Sequence, residues 1–470
     1  MAGLKKERVV LVNPPNKKIV LRDMYSSTIS KGNYNWPCTD LLVISGHLKG
    51  FFEVKLLDAN TLGLSQRETI DIIESFQPVG ICFAFGNSVK DEDYSFVKSL
   101  KKRMPDVRNI GTGGLLYHNG EKELIRHSYV DACLLSFVTT DIVKYLSEDF
   151  HEINNIIYRD NDKIVRAPIK YPENGYSFPV PLHEQLPLRE YRLSHGFATP
   201  LTSVVTSFGC PGKCRFCVSE NIDFRYRDPG NVLDELAVVK ELGIKEVFFR
   251  DTLFCANKKQ GYAVMRGMIE KGLTFSWVAD TSASILNRET VELMKESGCH
   301  ALHIGVESAS SQTLKEYKKN TDLARIKEAF SLCKEYGIRT VGYFVLGLPG
   351  ETAADVRRTI DFAIELDCSY ASFNIPLPII GSSLREDAIE NKWLAVSNDD
   401  KYDGSTVPVM ETEQLSSNDI IMLQSLAYKM FYFRLAYIIK TLLSPRNFYQ
   451  MKMTAIEFLL LLKNKIMSLL

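Results

Sequence analysis

The sequence predicts an α/β protein with two parallel-sheet regions, a doubly wound N-terminal domain and a partial (β/α)6 barrel, followed by a helical C-terminal extension. Three observations predict this. Apolar, β-branched runs alternate with helical patterns over residues 8–114; the alternation resumes near residue 203 for six more units; a proline-punctuated stretch separates the two series.

In the first series, Arg8 to Val12 (RVVLV) is a continuous apolar run closed by Asn13, Pro14 and Pro15, the pattern of a buried parallel strand ending in a loop. A helix over 41–48, a strand over 53–57 closed by Asp58, a helix over 68–76 and a strand over 79–85 follow. A helix over 96–103 and a strand over 109–114 complete the series. Such a Rossmann-like, flavodoxin-like sheet binds ligands outside the carboxyl ends of its strands, which here carry Asn13, Asp58, Gly86-Asn87-Ser88 and Gly111-Thr112-Gly113-Gly114. Small residues there let a large cofactor lie close.

Pro168, Pro172, Pro179, Pro181, Pro187 and Pro200 then punctuate short polar stretches, which predicts a surface linker. The second series places strands at 203–207, 246–250, 274–279, 301–306, 339–346 and 370–375, with helices at 232–241, 289–296, 323–335 and 353–366. Gly243, Gly298 and Gly337 stand where helices end. The expected organisation is 1–150 doubly wound domain, 151–198 linker, 199–385 barrel of the TIM type and 386–470 helical domain.

Of 470 residues, 45% are hydrophobic and 24% charged, which excludes a disordered or fibrous chain, and the formal net charge of zero gives no global field for nucleic acid. The opening MAGLKKERVVLVNPP has too short an apolar run for a secretory signal, so a cytoplasmic location with reduced thiols is expected. The ten cysteines are about 2% of the chain, far below a disulfide scaffold, so clustered ones suggest a metal.

The strongest chemical signal follows the first barrel strand: Gly209-Cys210-Pro211-Gly212-Lys213-Cys214-Arg215-Phe216-Cys217. Four thiolates close a zinc or iron–sulfur centre, whereas three leave one metal position open for a substrate. Structural cysteines would be poorly buried in a Gly/Pro-rich loop, and no fourth Cys or His follows at zinc-ribbon spacing.

This C-x3-C-x2-C set, with the aromatic Phe216 before its last cysteine, resembles the motif of the radical S-adenosylmethionine (SAM) superfamily. Phe249-Arg250-Asp251-Thr252-Leu253-Phe254, Gly305-Val306-Glu307-Ser308 and the stretch from Gly342 through Gly347-Leu348-Pro349-Gly350-Glu351-Thr352 extend the resemblance to the ends of strands two, four and five, where barrel enzymes build active sites. The resemblance implies a 4Fe-4S cluster on Cys210, Cys214 and Cys217 as the metal and catalytic centre, and SAM at its open iron. Asp251 and Glu307 are acceptors suited to the amino or ribose hydrogens of SAM, and Gly347 and Asn374 would admit its adenine edge. Each has a structural alternative: Asp251 as a helix cap, Glu307 paired with a lysine, Gly347 to Gly350 as a turn.

A doubly wound domain, a proline-rich linker and this barrel together resemble the cobalamin-binding subgroup of that superfamily, over about residues 8 to 385. The resemblance implies a corrinoid on Gly86, Asn87, Ser88, Gly113 and Gly114, reductive cleavage of SAM to a 5′-deoxyadenosyl radical, and methylation of an unactivated carbon. Oxidative cyclisation or rearrangement, methylthio transfer and a non-catalytic iron–sulfur protein are the alternatives. No Asp-x-His-x-x-Gly motif is present; the subgroup's Gly-Gly-Pro-His is here Gly113-Gly114-Leu115-Leu116-Tyr117-His118, and its Gly-Glu-Gly-Glu loop is replaced by Ser136 to Thr140.

The expected partners are a small-molecule or lipid substrate and a reductant protein such as flavodoxin or ferredoxin. From Lys429 to Leu470, seven Lys/Arg oppose one acid, a net +6. That basic, apolar tail, ending in Ala455 to Leu470, is either a helical cap on the barrel or a peripheral contact with an anionic membrane.

Overall fold

The computed structural model describes residues 6–30, 32, 34–193, 195–395, 408–443, 449 and 451. The chain divides into two compact units, Met1–Leu193 with Thr199–Ser203 and Asp234–Ile244, and Ser194–Ala198 with Val204–Leu233 and Lys245–Leu470.

The first unit is built on a seven-stranded sheet ordered Glu53–Asp58, Arg8–Asn13, Gly80–Ala84, Arg108–Thr112, Ala132–Leu134, Ile156–Asp160, Lys163–Arg166. The first five are parallel and follow the 2-1-3-4-5 order of a doubly wound sheet. Val9 to Val12 are fully buried because helices cover both faces, which is why that strand is a continuous apolar run rather than an alternating one.

Two features depart from the sequence expectation. The stretch expected to be a linker contributes the antiparallel strands Ile156–Asp160 and Lys163–Arg166, joined through Asn161 and Asp162, with Asn161 left-handed at φ 52°. A hairpin of Val20–Asp23 and Ser26–Ile29 follows the first strand. Its Arg22 forms a bidentate pair with Asp93 (3.0 and 2.7 Å), and also donates to Asn13 Oδ1 (2.9 Å) and the Pro14 carbonyl (3.1 Å). Asp93 in turn accepts from the Gly86 N–H at 2.9 Å, which anchors the hairpin at the carboxyl end of strand Gly80–Ala84.

A second sheet has six strands in chain order: Leu201–Val204, Glu246–Phe249, Ser276–Thr281, Cys299–Glu307, Arg339–Val345, Tyr370–Asn374. The last five pair in parallel, and each of the six coincides with an expected strand to within a few residues. Helices Lys258–Glu270, Arg288–Glu296, Leu323–Glu335 and Ala353–Glu365 start at the side-chain caps Asn257, Asn287, Asp322 and Thr352.

An open sheet leaves a row of unpaired backbone groups along its last strand. Here helix Ser417–Tyr432 lies over it: Gln424 and Tyr428 donate to the Phe373 carbonyl, and the Tyr432 hydroxyl donates to the Ala371 carbonyl (2.8 Å) while accepting from the Ala371 N–H (3.0 Å). This part of the extension is therefore a cap on the barrel edge. Tyr432→Phe strips both partners from Ala371 and is expected to destabilise the protein by about 1–3 kcal/mol, measured by denaturant unfolding. The expected helix over Ala455 to Leu470 lies outside the described residues.

Candidate active site

The cysteine loop leaves the barrel directly after Val204, whose carbonyl accepts from the Arg250 N–H at 2.9 Å. Its root is held by Asp251, two residues beyond the second strand. The Asp251 carboxylate accepts from the Thr206 N–H (2.7 Å), the Ser207 N–H (3.0 Å) and the Thr206 hydroxyl. Asp251 is completely buried, and burial pushes its carboxyl up to about 6 despite those donors. It is a clamp on the loop rather than an open acceptor for a ligand's hydrogens. Asp251→Ala would leave two N–H groups buried without acceptors and is expected to destabilise the protein by about 3 kcal/mol or more. Asp251→Asn keeps one acceptor oxygen and should lose less in the same unfolding experiment.

Within the loop, the Gly212 N–H points at Cys210 Sγ (3.3 Å) and the Ser219 N–H at Cys217 Sγ (3.4 Å), while Cys214 Sγ lies 3.9 Å from the Lys318 carbonyl. The three are half-buried, and burial raises all three thiols, Cys214 to about 12. The other seven cysteines are fully buried. Among the described residues no three His, Cys, Asp or Glu side chains stand at preformed metal-ligand spacing. The loop is a donor set rather than a closed cage. Three soft thiols with N–H groups directed at two sulfurs are the chemistry an iron–sulfur cluster requires.

Phe216 packs against Tyr317, Leu348, Leu384, Ala388 and Met410. The loop is further tied by Arg215 to Asp387 (2.9 and 2.7 Å) and by Glu220, which accepts from the Ser383 N–H (2.8 Å) and hydroxyl (2.6 Å).

Glu307 ends the fourth strand with a left-handed backbone, φ 67°, uncommon outside glycine. Its carboxylate meets Lys319 Nζ at 2.7 Å. Although burial opposes the charge, Glu307 and the nearby Cys214 and Cys217 hold the Lys319 ammonium above its ordinary range. Gly305 makes room for the pair, since a Cβ there would lie 2.4 Å from Glu307 Oε1 and 2.6 Å from Lys319 Nζ. Lys319 carried no motif in the sequence, and only the fold brings it to the cysteines.

Gly347 is packed against the C-terminal extension on its Cβ side. A Cβ on it would meet Leu415 Cδ1 at 3.2 Å and Ile420 Cγ1 at 3.3 Å, so the C-terminal extension covers it. Its N–H and that of Leu348 donate to Glu351 (3.1 Å each), which also accepts from Ser308 Oγ at 2.5 Å. Glu351 thus ties the turn after strand five to the end of strand four. Asn374, half-buried at the end of the last strand, accepts from Ser372 Oγ at 3.3 Å.

In the first unit, Ser88 is engaged by the hairpin: its N–H donates to Ser27 Oγ at 3.0 Å. Gly114 opens helix Gly114–Arg126. Gly113 has φ 138°, and a Cβ there would sit 2.8 Å from the Phe85 carbonyl, so only glycine fits. Asn87 Oδ1 and Ser136 Oγ are buried at the carboxyl ends of their strands with no hydrogen-bond partner. Orphaned acceptors beside a glycine cradle fit a large ligand rich in amide N–H groups, as a corrinoid is.

Comparison with known proteins agrees with this geometry. Residues 204–363 match the Radical SAM superfamily. An uncharacterized methyltransferase of Pyrococcus horikoshii, PH0819, is 29% identical over 459 residues, covering 95% of this chain and 96% of its own. Among solved structures, the cobalamin-dependent SAM radical enzyme OxsB superposes with a TM-score of 0.69 at 17% identity, over 97% of this chain and 72% of its own. The radical SAM methyltransferase TsrM of Kitasatospora setae gives 0.66 at 16% identity, over 91% and 85%. At those identities the likeness speaks for fold. Residues 204–363 are a radical SAM superfamily domain, and the chain around it has the fold of the cobalamin-dependent radical SAM enzymes.

Proposed function

We propose that this protein is a cobalamin-dependent radical SAM enzyme that methylates an unactivated carbon of a small-molecule or lipid substrate, fed with electrons by a reductant protein such as a flavodoxin or ferredoxin. The observation that carries the reading is the three-cysteine loop at the mouth of the barrel, with an ion pair beside it, in a chain whose other unit presents a glycine cradle at a doubly wound sheet. Cys210, Cys214 and Cys217 hold the cluster. The Glu307–Lys319 pair is complementary to the zwitterionic methionyl end of SAM: the carboxylate accepts from its ammonium and the ammonium faces its carboxylate. Asp251 and Glu351 fix the loop and the strand ends without touching ligand. Asn87, Ser136 and Gly113 receive the corrinoid.

When bound, the cluster supplies the electron that cleaves the sulfonium of SAM, and cobalamin carries the methyl group. The chain's part is positional: it orients SAM at the strand ends and encloses the reacting centre. PH0819 carries the name methyltransferase and is matched over nearly its whole length, which supports methyl transfer over cyclisation.

The test is anaerobic purification from cobalamin-supplied cells, with corrinoid and iron measured per chain and 5′-deoxyadenosine measured after reduction. One corrinoid per chain together with SAM cleavage is expected. Iron and cleavage without corrinoid would remove methyl transfer as the reading; iron without cleavage would leave a non-catalytic iron–sulfur protein.

A further inference from the structure

Both residues between Cys214 and Cys217 face a helix that comes after the last barrel strand, Ser383–Glu390. The turn is tight, with the Cys217 N–H donating to the Cys214 carbonyl at 3.0 Å. Arg215 makes a bidentate pair with Asp387 of that helix, and Phe216 packs against its Leu384 and Ala388. Backbone bonds close the arrangement: the Leu384 N–H donates to the Arg215 carbonyl at 2.8 Å, and Asn221 Nδ2 to the Gly381 carbonyl at 3.0 Å. Beyond Cys217, Glu220 accepts from the Ser383 N–H and hydroxyl at the first turn of the helix. Lys213 Nζ donates to the Glu220 carbonyl at 2.9 Å, which carries the tie back into the stretch between Cys210 and Cys214. A loop owes its order to the groups it is tied to, because it buries little of its own surface.

We propose that helix Ser383–Glu390 is a clamp that holds the cysteine loop in its ligating shape, with Arg215 and Asp387 as positioning residues that set how long the cluster is retained. Neither touches a reacting atom; each acts through the cysteines on either side of Arg215. Groups that orient metal ligands from behind change metal affinity by about 10–100-fold when removed. The Arg215 and Asp387 side chains keep only 26% and 27% exposure, so the pair is partly shielded from solvent screening, yet it is exposed enough that the fold should not depend on it. The inference rests on the proposed cluster and concerns its retention, not the chemistry that follows.

The test uses the full chain, loaded with iron anaerobically, and follows iron release to a chelator. Asp387→Asn and Arg215→Gln are each expected to speed release by about tenfold, with denaturant unfolding nearly unmoved. The double variant should be no faster than either single, because both remove the same tie. Asp387→Glu keeps the carboxylate and should restore most of the retention. Arg288→Gln breaks the Arg288–Glu335 pair between two barrel helices and should release iron at the wild-type rate. A second readout needs no cluster: in the iron-free chain, iodoacetamide labelling of Cys214 and Cys217, read by peptide mass spectrometry, should quicken in both single variants. Wild-type release rates in both singles overturn the clamp, and so do effects that simply add in the double variant. A wild-type chain that holds no iron would sink the cluster reading instead; the clamp then stands or falls on labelling, and unchanged labelling rates overturn it.

Discussion

Cys214→Ala is expected to abolish both the iron–sulfur absorbance and the production of 5′-deoxyadenosine while leaving the fold intact. Cys214 is the middle member of the loop, and its sulfur lies 3.9 Å from the Lys318 carbonyl. Removing it therefore costs little in packing and one of three iron ligands in function. With two thiols left, a four-iron cluster has two open corners, and iron should fall from roughly four per chain to near zero. The control is Cys333→Ala in the buried core of helix Leu323–Glu335, which should cost stability by leaving a small cavity yet retain full iron. Iron content and deoxyadenosine yield under chemical reduction check both. Retained cleavage in Cys214→Ala would overturn the assignment of the loop.

The contrast between Cys214 and Lys319 shows what the sequence made legible. Three cysteines within eight residues report their chemistry locally, because a short loop cannot separate them. Lys319 reaches the same site by way of a strand end, a left-handed Glu307 and a short helix, Ser311–Glu316, and no periodicity encodes that route. Asp251 and Glu307 are legible in the sequence as strand-end acceptors, but which partner each takes is not. A carboxylate at a strand end is equally suited to a ligand's N–H and to the backbone N–H of the next loop, and only burial decides between them. The barrel strands were legible because apolar runs bounded by loops are strong signals. The strands Ile156–Asp160 and Lys163–Arg166 were hidden by the surrounding prolines, although the Asn161-Asp162 turn between two apolar runs was a hairpin signal. The hairpin carrying Arg22 gave no such signal, since its strands are four residues each and largely polar.

That hairpin carries the second large effect. Arg22 and Asp93 have side chains with 0% exposure each, so either one alone is a charge removed from water without a counter-charge. Arg22→Met is expected to destabilise the first unit by about 3–5 kcal/mol, and Asp93→Leu by a similar amount. At roughly 2–4 °C per kcal/mol for a unit of this size, the unfolding midpoint should drop by on the order of 10 °C. The double variant Arg22→Met/Asp93→Leu removes both charges and should recover most of the loss, giving a coupling energy of several kcal/mol in the cycle.

The pH dependence has a definite sign. Burial already holds the Asp93 carboxyl above its ordinary range in the presence of Arg22, and losing the guanidinium removes the main force opposing that shift. A carboxyl raised in the folded state takes up a proton on folding, so lowering the pH favours the folded form. Arg22→Met should therefore be least stable near pH 8 and regain stability as the pH falls toward 5, while the double variant loses this dependence. Thermal unfolding of the four proteins across that range measures it. Equal destabilisation at both ends of the range would mean that Asp93 is not left charged and unpaired when Arg22 is removed. Because Asp93 also anchors the Gly86 N–H at the switch point, corrinoid binding followed by absorbance should weaken in Arg22→Met more than the stability loss alone predicts at temperatures where the variant is fully folded. An unchanged affinity there would separate the hairpin from the proposed corrinoid cradle.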